Sequence, residues 1–236
     1  MHDLALHSNA QLSLAPDSFI ESLKCNYAFV ARNAQHVHIN YDILESYALG
    51  LPKLQDNEIL DTTHHFLSND QEANLSYIIA LDSMNFGSGF QDHIQEEGYA
   101  QPEGFYFKVA GILKNYYELN GPLSPAKMAT LTAQDVASIL SFPDISENPY
   151  SFRLASRYSS SVNEVGQYLL ANHNGSFSAM VDACEGSSEN FIYMLTRLST
   201  YNDTSTYRGQ RVPFYKRAIS CAADLQDMYN HQKQNL

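Results

Sequence analysis

Along most of this chain the apolar residues recur every three or four positions, the period of a helix with one buried face. From Asp17 to Asn33, behind Pro16, the residues Phe19, Ile20, Leu23, Tyr27 and Val30 share such a face. His36 to Asn40 (HVHIN) reads as a short extended piece, after which Asn40 caps a second predicted helix through Ala48. Ser76 to Phe86 is an apolar run that fits helix or strand, and its surroundings favour helix. Phe105 to Leu119 predicts a helix that stops at Asn120-Gly121-Pro122. Thr132, with Asp135 three residues on, approximates a capping box for a helix to Leu140.

Pro143 to Pro149 reads as a loop, followed by a long helix from about Phe152 to Leu170 with Leu154, Tyr158, Val162, Val165 and Leu169 on one side. Gly175 begins a short helix, SFSAMVDAC, and Ser187-Ser188 the next, which carries Phe191, Leu195 and Leu198. Pro213 is placed to open the last helix, through about Tyr229, with Phe214, Ala218, Cys221, Ala222 and Leu225 as its apolar stripe. No strands alternate with these helices and no repeat is visible. The expectation is a mainly α fold: residues 1–16 as an N-terminal tail and 17–236 as one compact helical domain.

Composition narrows the function classes. The chain has 236 residues, 44% of them hydrophobic, and a formal net charge of −12. That size and hydrophobic content suit a folded domain with a sizeable core. The acidic balance argues against direct binding to nucleic acid or anionic membranes, both of which need extended basic surfaces. A small anionic ligand needs only a few converging cations. Cys25, Cys184 and Cys221 are widely spaced, without a CxxC pair, which reads as reduced thiols in a cytoplasmic protein. No apolar run is long enough for a membrane span, and the start does not read as a secretory signal.

Against this acidic background, four of the 14 Lys and Arg residues fall in one decapeptide: Arg208, Arg211, Lys216 and Arg217. Lys216 and Arg217 would lie in the first turn of the last helix, where free N–H groups and the helix dipole favour an anion such as phosphate. The pattern fits equally a solvated basic loop, or salt bridges to the surplus carboxylates. His36 and His38 alternate, and His64-His65 are adjacent, but no third ligand of suitable spacing accompanies either pair, so no metal site is expected. Ser88, in Gly87-Ser88-Gly89, is not in a nucleophile-elbow pattern; the glycines suit a tight backbone approach. No cofactor is implied.

The segment YRGQRVPFYKRAISCAADL (Tyr207 to Leu225) resembles the tyrosine-arginine-glycine turn and V-x-F-Y-K-R-A-Q helix of the queuosine salvage family, queuosine 5′-phosphate N-glycosylase/hydrolases. IIALDSMNFGSGF (Ile78 to Phe90) is similar to that family's L-D-x-x-N-F-G-S-G-W. NGSFSAMVDACEG and FVARNAQHVHIN fit it too, so the likeness spans roughly Phe29 to Asp224. It implies a largely helical fold related to helix-hairpin-helix DNA glycosylases. It also implies cleavage of the N-glycosidic bond of queuosine 5′-phosphate to release queuine for tRNA modification, the ligand being that nucleotide or queuine itself. Carried over by position, Lys216, supported by Tyr215 and Arg217, would hold the phosphate. Asp82, Asn85 and Phe86 would face the base, with Ser88 beside them.

Two departures bear on this expectation. Phe90 stands where the family has tryptophan, and no F-A-D segment, the family's source of the catalytic aspartate, follows the last helix. Ribosyl C–N cleavage builds oxocarbenium character that a carboxylate must stabilise. The catalytic residue is therefore unassigned, with Asp224 a weak surrogate and more naturally a partner for Arg217 or a backbone N–H. The sequence leaves open a nucleotide hydrolase, a binding protein for the nucleotide or queuine with impaired turnover, and a DNA glycosylase relative; the acidic charge disfavours the last.

Overall fold

A computed structural model of the chain describes residues 15–16, 18–51, 61–94 and 104–234. The N-terminal tail expected at 1–16 lies almost wholly outside the described residues. Among them the architecture is mainly helical, in the order α1 (Phe19–Asn33), α2 (Tyr41–Gly50), α3 (Gln71–Ser83), a 3₁₀ turn (Ser88–His93), α4 (Gly104–Asn120), α5 (Pro125–Met128), α6 (Ala133–Ile139), α7 (Pro149–Asn172), α8 (Phe177–Asp182) and α9 (Ser188–Leu195). A two-stranded hairpin, β1 (Thr204–Tyr207) and β2 (Gln210–Pro213), then leads into α10 (Lys216–Gln234).

The predicted caps form. Asn40 accepts from the backbone N–H of Ile43, Ser187 accepts from that of Asn190, and Thr132 with Asp135 makes the full reciprocal capping box. The run from Ser76 to Phe86 is helical as far as Ser83, and α3 is buried on every side from Ala73 to Ser83. A helix buried all round has to sit at the centre of a core; α3 packs against α4, α7, α8 and α10. The core continues through Leu113, Leu154, Val165, Cys221 and Met228. Glu72, in the first turn of α3, accepts from Ser176 Oγ and from the N–H groups of Phe177 and Ser178, which ties the start of α8 to the central helix.

Two approaches need glycine. A Cβ on Gly166 of α7 would lie 2.7 Å from the carbonyl oxygen of Pro125, so α5 can pack on α7 only without one. Gly87 has φ +95°, and its Cβ would meet Leu154 Cδ1 at 2.6 Å.

The end of the chain corrects the expected layout. Pro213 closes β2 instead of opening a helix, and α10 starts at Lys216. Antiparallel β1 and β2 pair Thr204 with Pro213 and Tyr207 with Gln210. The turn at Arg208-Gly209 takes positive φ at both residues, +50° and +79°, the signature of a tight hairpin. Phe214, expected in the apolar stripe, is exposed, while Ala218, Cys221, Ala222 and Leu225 are buried as expected. HVHIN, expected as an extended piece, forms no strand: His36 lies in a bend, and Asn40 is extended where it caps α2. No helix among the described residues is long and apolar enough to cross a membrane.

Candidate active site

Two adjoining cavities open where α3, its following turn, α4, α7 and α10 meet. The larger, of about 940 Å³, is lined by Asn85, Phe86, Gly87 and Ser88, by polar residues of α7, by Ser199, Thr200 and Asp203, and by Lys216 and Arg217. The smaller, of about 170 Å³, is walled by Leu81, Met84, Phe86, Phe105, Tyr106 and Tyr158, with Asn85, Ser88 and Lys216 at its edge. Asn85, Phe86, Ser88 and Lys216 line both, so a ligand bridging the two would touch all four.

Phe86 is held firmly between them. Its carbonyl accepts from Tyr158 Oη at 2.5 Å, and its ring meets that tyrosine edge-on at 4.9 Å. The Arg217 guanidinium lies 5.0 Å from the Phe86 ring centroid.

Of the clustered cations, only Lys216 and Arg217 reach the cavity. Arg208 and Arg211 stay on the exposed hairpin, donating to Asn33 and Asn202. Arg217 is already paired: its Nε and Nη2 donate to Asp203 Oδ1 at 3.0 and 2.7 Å. Asp203 Oδ2 accepts from the backbone N–H of Arg217 at 2.9 Å. The anion at the start of α10 is thus supplied by the chain itself, as the salt-bridge alternative anticipated. Lys216 is exposed and has no ion pair among the described residues. Tyr215 lines neither cavity; its ring stacks on Phe19 with centroids 6.0 Å apart.

Asp82 is fully buried and also lines neither cavity; it bears on them through Asn85, whose Nδ2 donates to Asp82 Oδ1 at 3.1 Å. Asp82 Oδ2 has no donor of its own. The Asp82 carboxyl lies beside that of Asp224, which reaches it from α10, and beside the Cys221 thiol, and the two carboxyls hydrogen-bond when one holds a proton. Burial, reinforced by the neighbouring Asp224 charge, pushes the Asp82 carboxyl well above the usual range. Burial also raises Asp224. Asp224 does not pair with Arg217; its Oδ2 accepts from Tyr106 Oη at 3.2 Å, and His65 Nε2 lies 3.2 Å beyond that hydroxyl.

Tyr106 was not singled out by the sequence pattern, and His65 was weighed there only as half of a His64-His65 metal pair. Tyr106 looks like one more core aromatic of α4 until α10 is packed beside it. Burial also raises its hydroxyl pKa, so Tyr106 stays a neutral donor. His64 and His65 diverge, His64 Nδ1 to Asp61 Oδ2 and His65 to Asp61 O and Tyr106. Among the described residues no group of three or more His, Cys, Asp or Glu is placed to hold a metal ion.

Chemically, the small pocket offers aromatic walls and an amide side chain, suited to a planar heterocycle with polar edges. The large one offers four basic side chains against two carboxylates, inside a protein of net charge −12. Both carboxylates are committed: Asp203 to Arg217, and Glu164 to the N–H and hydroxyl groups of Ser199 and Thr200. The resulting field favours an anion.

Comparison with known proteins agrees with the motifs. The chain is 29% identical over 198 residues to a queuosine 5′-phosphate N-glycosylase/hydrolase of Sphaerobacter thermophilus, covering 83% of this chain and 59% of that one. It is 24% identical over 216 residues to one from Dictyostelium discoideum, covering 86% and 62%, and 25% identical over 158 residues to one from Bos taurus, covering 65% and 45%. The chain therefore spans less than two thirds of the length of each of these relatives. The family described as Queuosine salvage protein matches residues 64–235, which contain both cavities and the buried carboxylate pair, and the chain belongs to that family.

Proposed function

We propose that this protein binds queuosine 5′-phosphate and hydrolyses its N-glycosidic bond, releasing queuine for tRNA queuosine salvage. The observation that carries the reading is the pair of adjoining cavities bridged by Asn85, Phe86, Ser88 and Lys216. The deazaguanine enters the small pocket, against Phe86 and Tyr106, with the Asn85 amide at its polar edge. Asp82 fixes that amide by accepting from its nitrogen, so the carbonyl oxygen is left to accept from the base. The 5′-phosphate meets Lys216. Arg217 contributes through Phe86, whose ring it covers, since its charge is spent on Asp203. The ligand is a free nucleotide rather than a nucleic acid, the site works in the cytoplasm, and the helical fold is related to helix-hairpin-helix DNA glycosylases.

A second reading, a nucleotide- or queuine-binding protein with little turnover, is favoured by one feature. Cleavage needs a carboxylate to stabilise the oxocarbenium ion, and both carboxylates that line the large cavity are engaged by protein donors. One experiment addresses both: incubation with queuosine 5′-phosphate, with queuine release followed by chromatography and binding by calorimetry. Binding with release supports the hydrolase, binding without release the second reading, and absence of binding removes both.

A further inference from the structure

Lys216 is not the largest source of positive charge in the large cavity. Arg153 and Arg157, one turn apart on α7, both line it. Their guanidinium carbons lie 5.9 and 5.8 Å from the centroid of a single ring, that of Phe90 in the 3₁₀ turn after Gly87. One aromatic ring thus gathers two like charges. Among the described residues neither arginine makes an ion pair, although the chain holds 26 acidic residues against 14 basic ones. The cavity's own carboxylates, Glu164 and Asp203, are held elsewhere. Like charges four residues apart disfavour a helix, and a bound anion reverses that effect.

The layout separates these arginines from Lys216. Lys216 borders both cavities, whereas Arg153 and Arg157 border only the large one. An anion beside the small pocket meets the lysine, and one farther out meets the arginines. The volume of about 940 Å³ sits at the upper end of the roughly 300–1,000 Å³ typical of small-molecule sites. It leaves space past a nucleoside monophosphate whose base fills the smaller pocket. Guanidinium groups match phosphate oxygens in bidentate fashion, and Ser156, between the two arginines on the same wall, adds a hydroxyl.

We propose that Arg153 and Arg157 form a second phosphate subsite, so that the ligand class extends to nucleotides carrying two phosphate groups. The inference rests on reading the cavity as a nucleotide site. Two attachments would place the second phosphate there: the 5′-phosphate itself, giving a 5′-diphosphate, or the ribose 3′-hydroxyl, giving a 3′,5′-bisphosphate. Both present a terminal phosphate, which is the group the arginines recognise.

Calorimetry at low ionic strength tests this with queuosine 5′-monophosphate, queuosine 5′-diphosphate and queuosine 3′,5′-bisphosphate, on the wild type and on Arg153→Gln/Arg157→Gln. The expected result is that one two-phosphate ligand binds the wild type about tenfold or more tighter than the monophosphate. The double variant, melting like the wild type, loses that advantage and keeps its affinity for the monophosphate. The ligand that gains identifies where the second phosphate sits. The inference is overturned if the monophosphate binds and neither two-phosphate ligand gains, if the gain survives in the double variant, or if the variant weakens all three ligands equally. If the monophosphate does not bind the wild type, the nucleotide reading of the cavity falls, and this inference with it. Should the double variant fail to fold, the two single variants carry the same comparison.

Discussion

Asp82→Asn tests the central electrostatic claim, that α3 and α10 bring two carboxyl groups together in the core with one proton between them. Asp82 is fully buried, its Oδ1 accepts from Asn85, and its carboxyl lies against that of Asp224 and the Cys221 thiol. An amide at this position reproduces the protonated carboxyl, accepting from Asn85 and donating to Asp224, but it cannot ionise. Burial and the Asp224 charge raise the folded-state pKa of Asp82 above its ordinary 3.8. Between those two values the native chain holds a proton that the unfolded chain has released. Stability therefore falls as pH rises, by up to about 1.4 kcal/mol per pH unit for one such proton. In a chain of this size about 1 kcal/mol moves the melting temperature by roughly 2–4 °C, so the steepest part of the curve loses roughly 3–6 °C per unit. The variant lacks the Asp82 share of this loss and keeps only that of Asp224, which burial also raises. His173, lowered by burial, acts in the opposite sense near neutrality, and the lowered carboxyls of Glu72 and Asp135 act below their ordinary range; all three are common to both proteins. Calorimetric melts from pH 4.5 to 8 should show the difference between variant and wild type growing in the variant's favour as pH rises. Parallel curves, or a variant that loses ground with pH, would refute the shared proton.

Lys216→Ala should weaken a nucleoside 5′-phosphate by about 1.5–3 kcal/mol, the range of a charged hydrogen bond, while leaving free queuine unaffected; equal losses by calorimetry would remove Lys216 from the phosphate. Asp203→Asn should destabilise the fold by about 3–5 kcal/mol, because it leaves the Arg217 guanidinium, 18% exposed, without its partner and weakens the cap on α10. A urea midpoint equal to the wild type's would show the pair to be incidental. Gly166→Ala should cost about 1–3 kcal/mol despite the better helix propensity of alanine, since its methyl meets backbone of α5 that cannot swing aside. An unchanged or raised urea midpoint would contradict that packing.

The helices and their caps were legible in the sequence because they depend on neighbours within a turn or two. Asn40, Ser187 and the Thr132–Asp135 box satisfy N–H groups three residues away or nearer, and the apolar stripe of α10 from Ala218 onward follows from a 3.6-residue period. The hairpin was not legible. Strands of four residues are marginal alone, and these gain support from α1, where Tyr207 Oη donates to Asn33 O and Tyr27 Oη donates to Phe214 O just beyond β2. Their formation moved the start of α10 from Pro213 to Lys216. Motif and charge density pointed to Lys216 and Asn85, but they could not say which cations were already answered. Asp203 lies 14 residues before Arg217, and only the turn back through the hairpin sets its carboxylate on that guanidinium. Asp82 and Asp224 are farther apart still, one on α3 and one on α10. Their pairing exists because α3, buried on every side, has to be enclosed, and α10 is one of the helices that enclose it. Periodicity specifies which face of a helix is buried; which other helix that face meets is settled by the packing of the whole core.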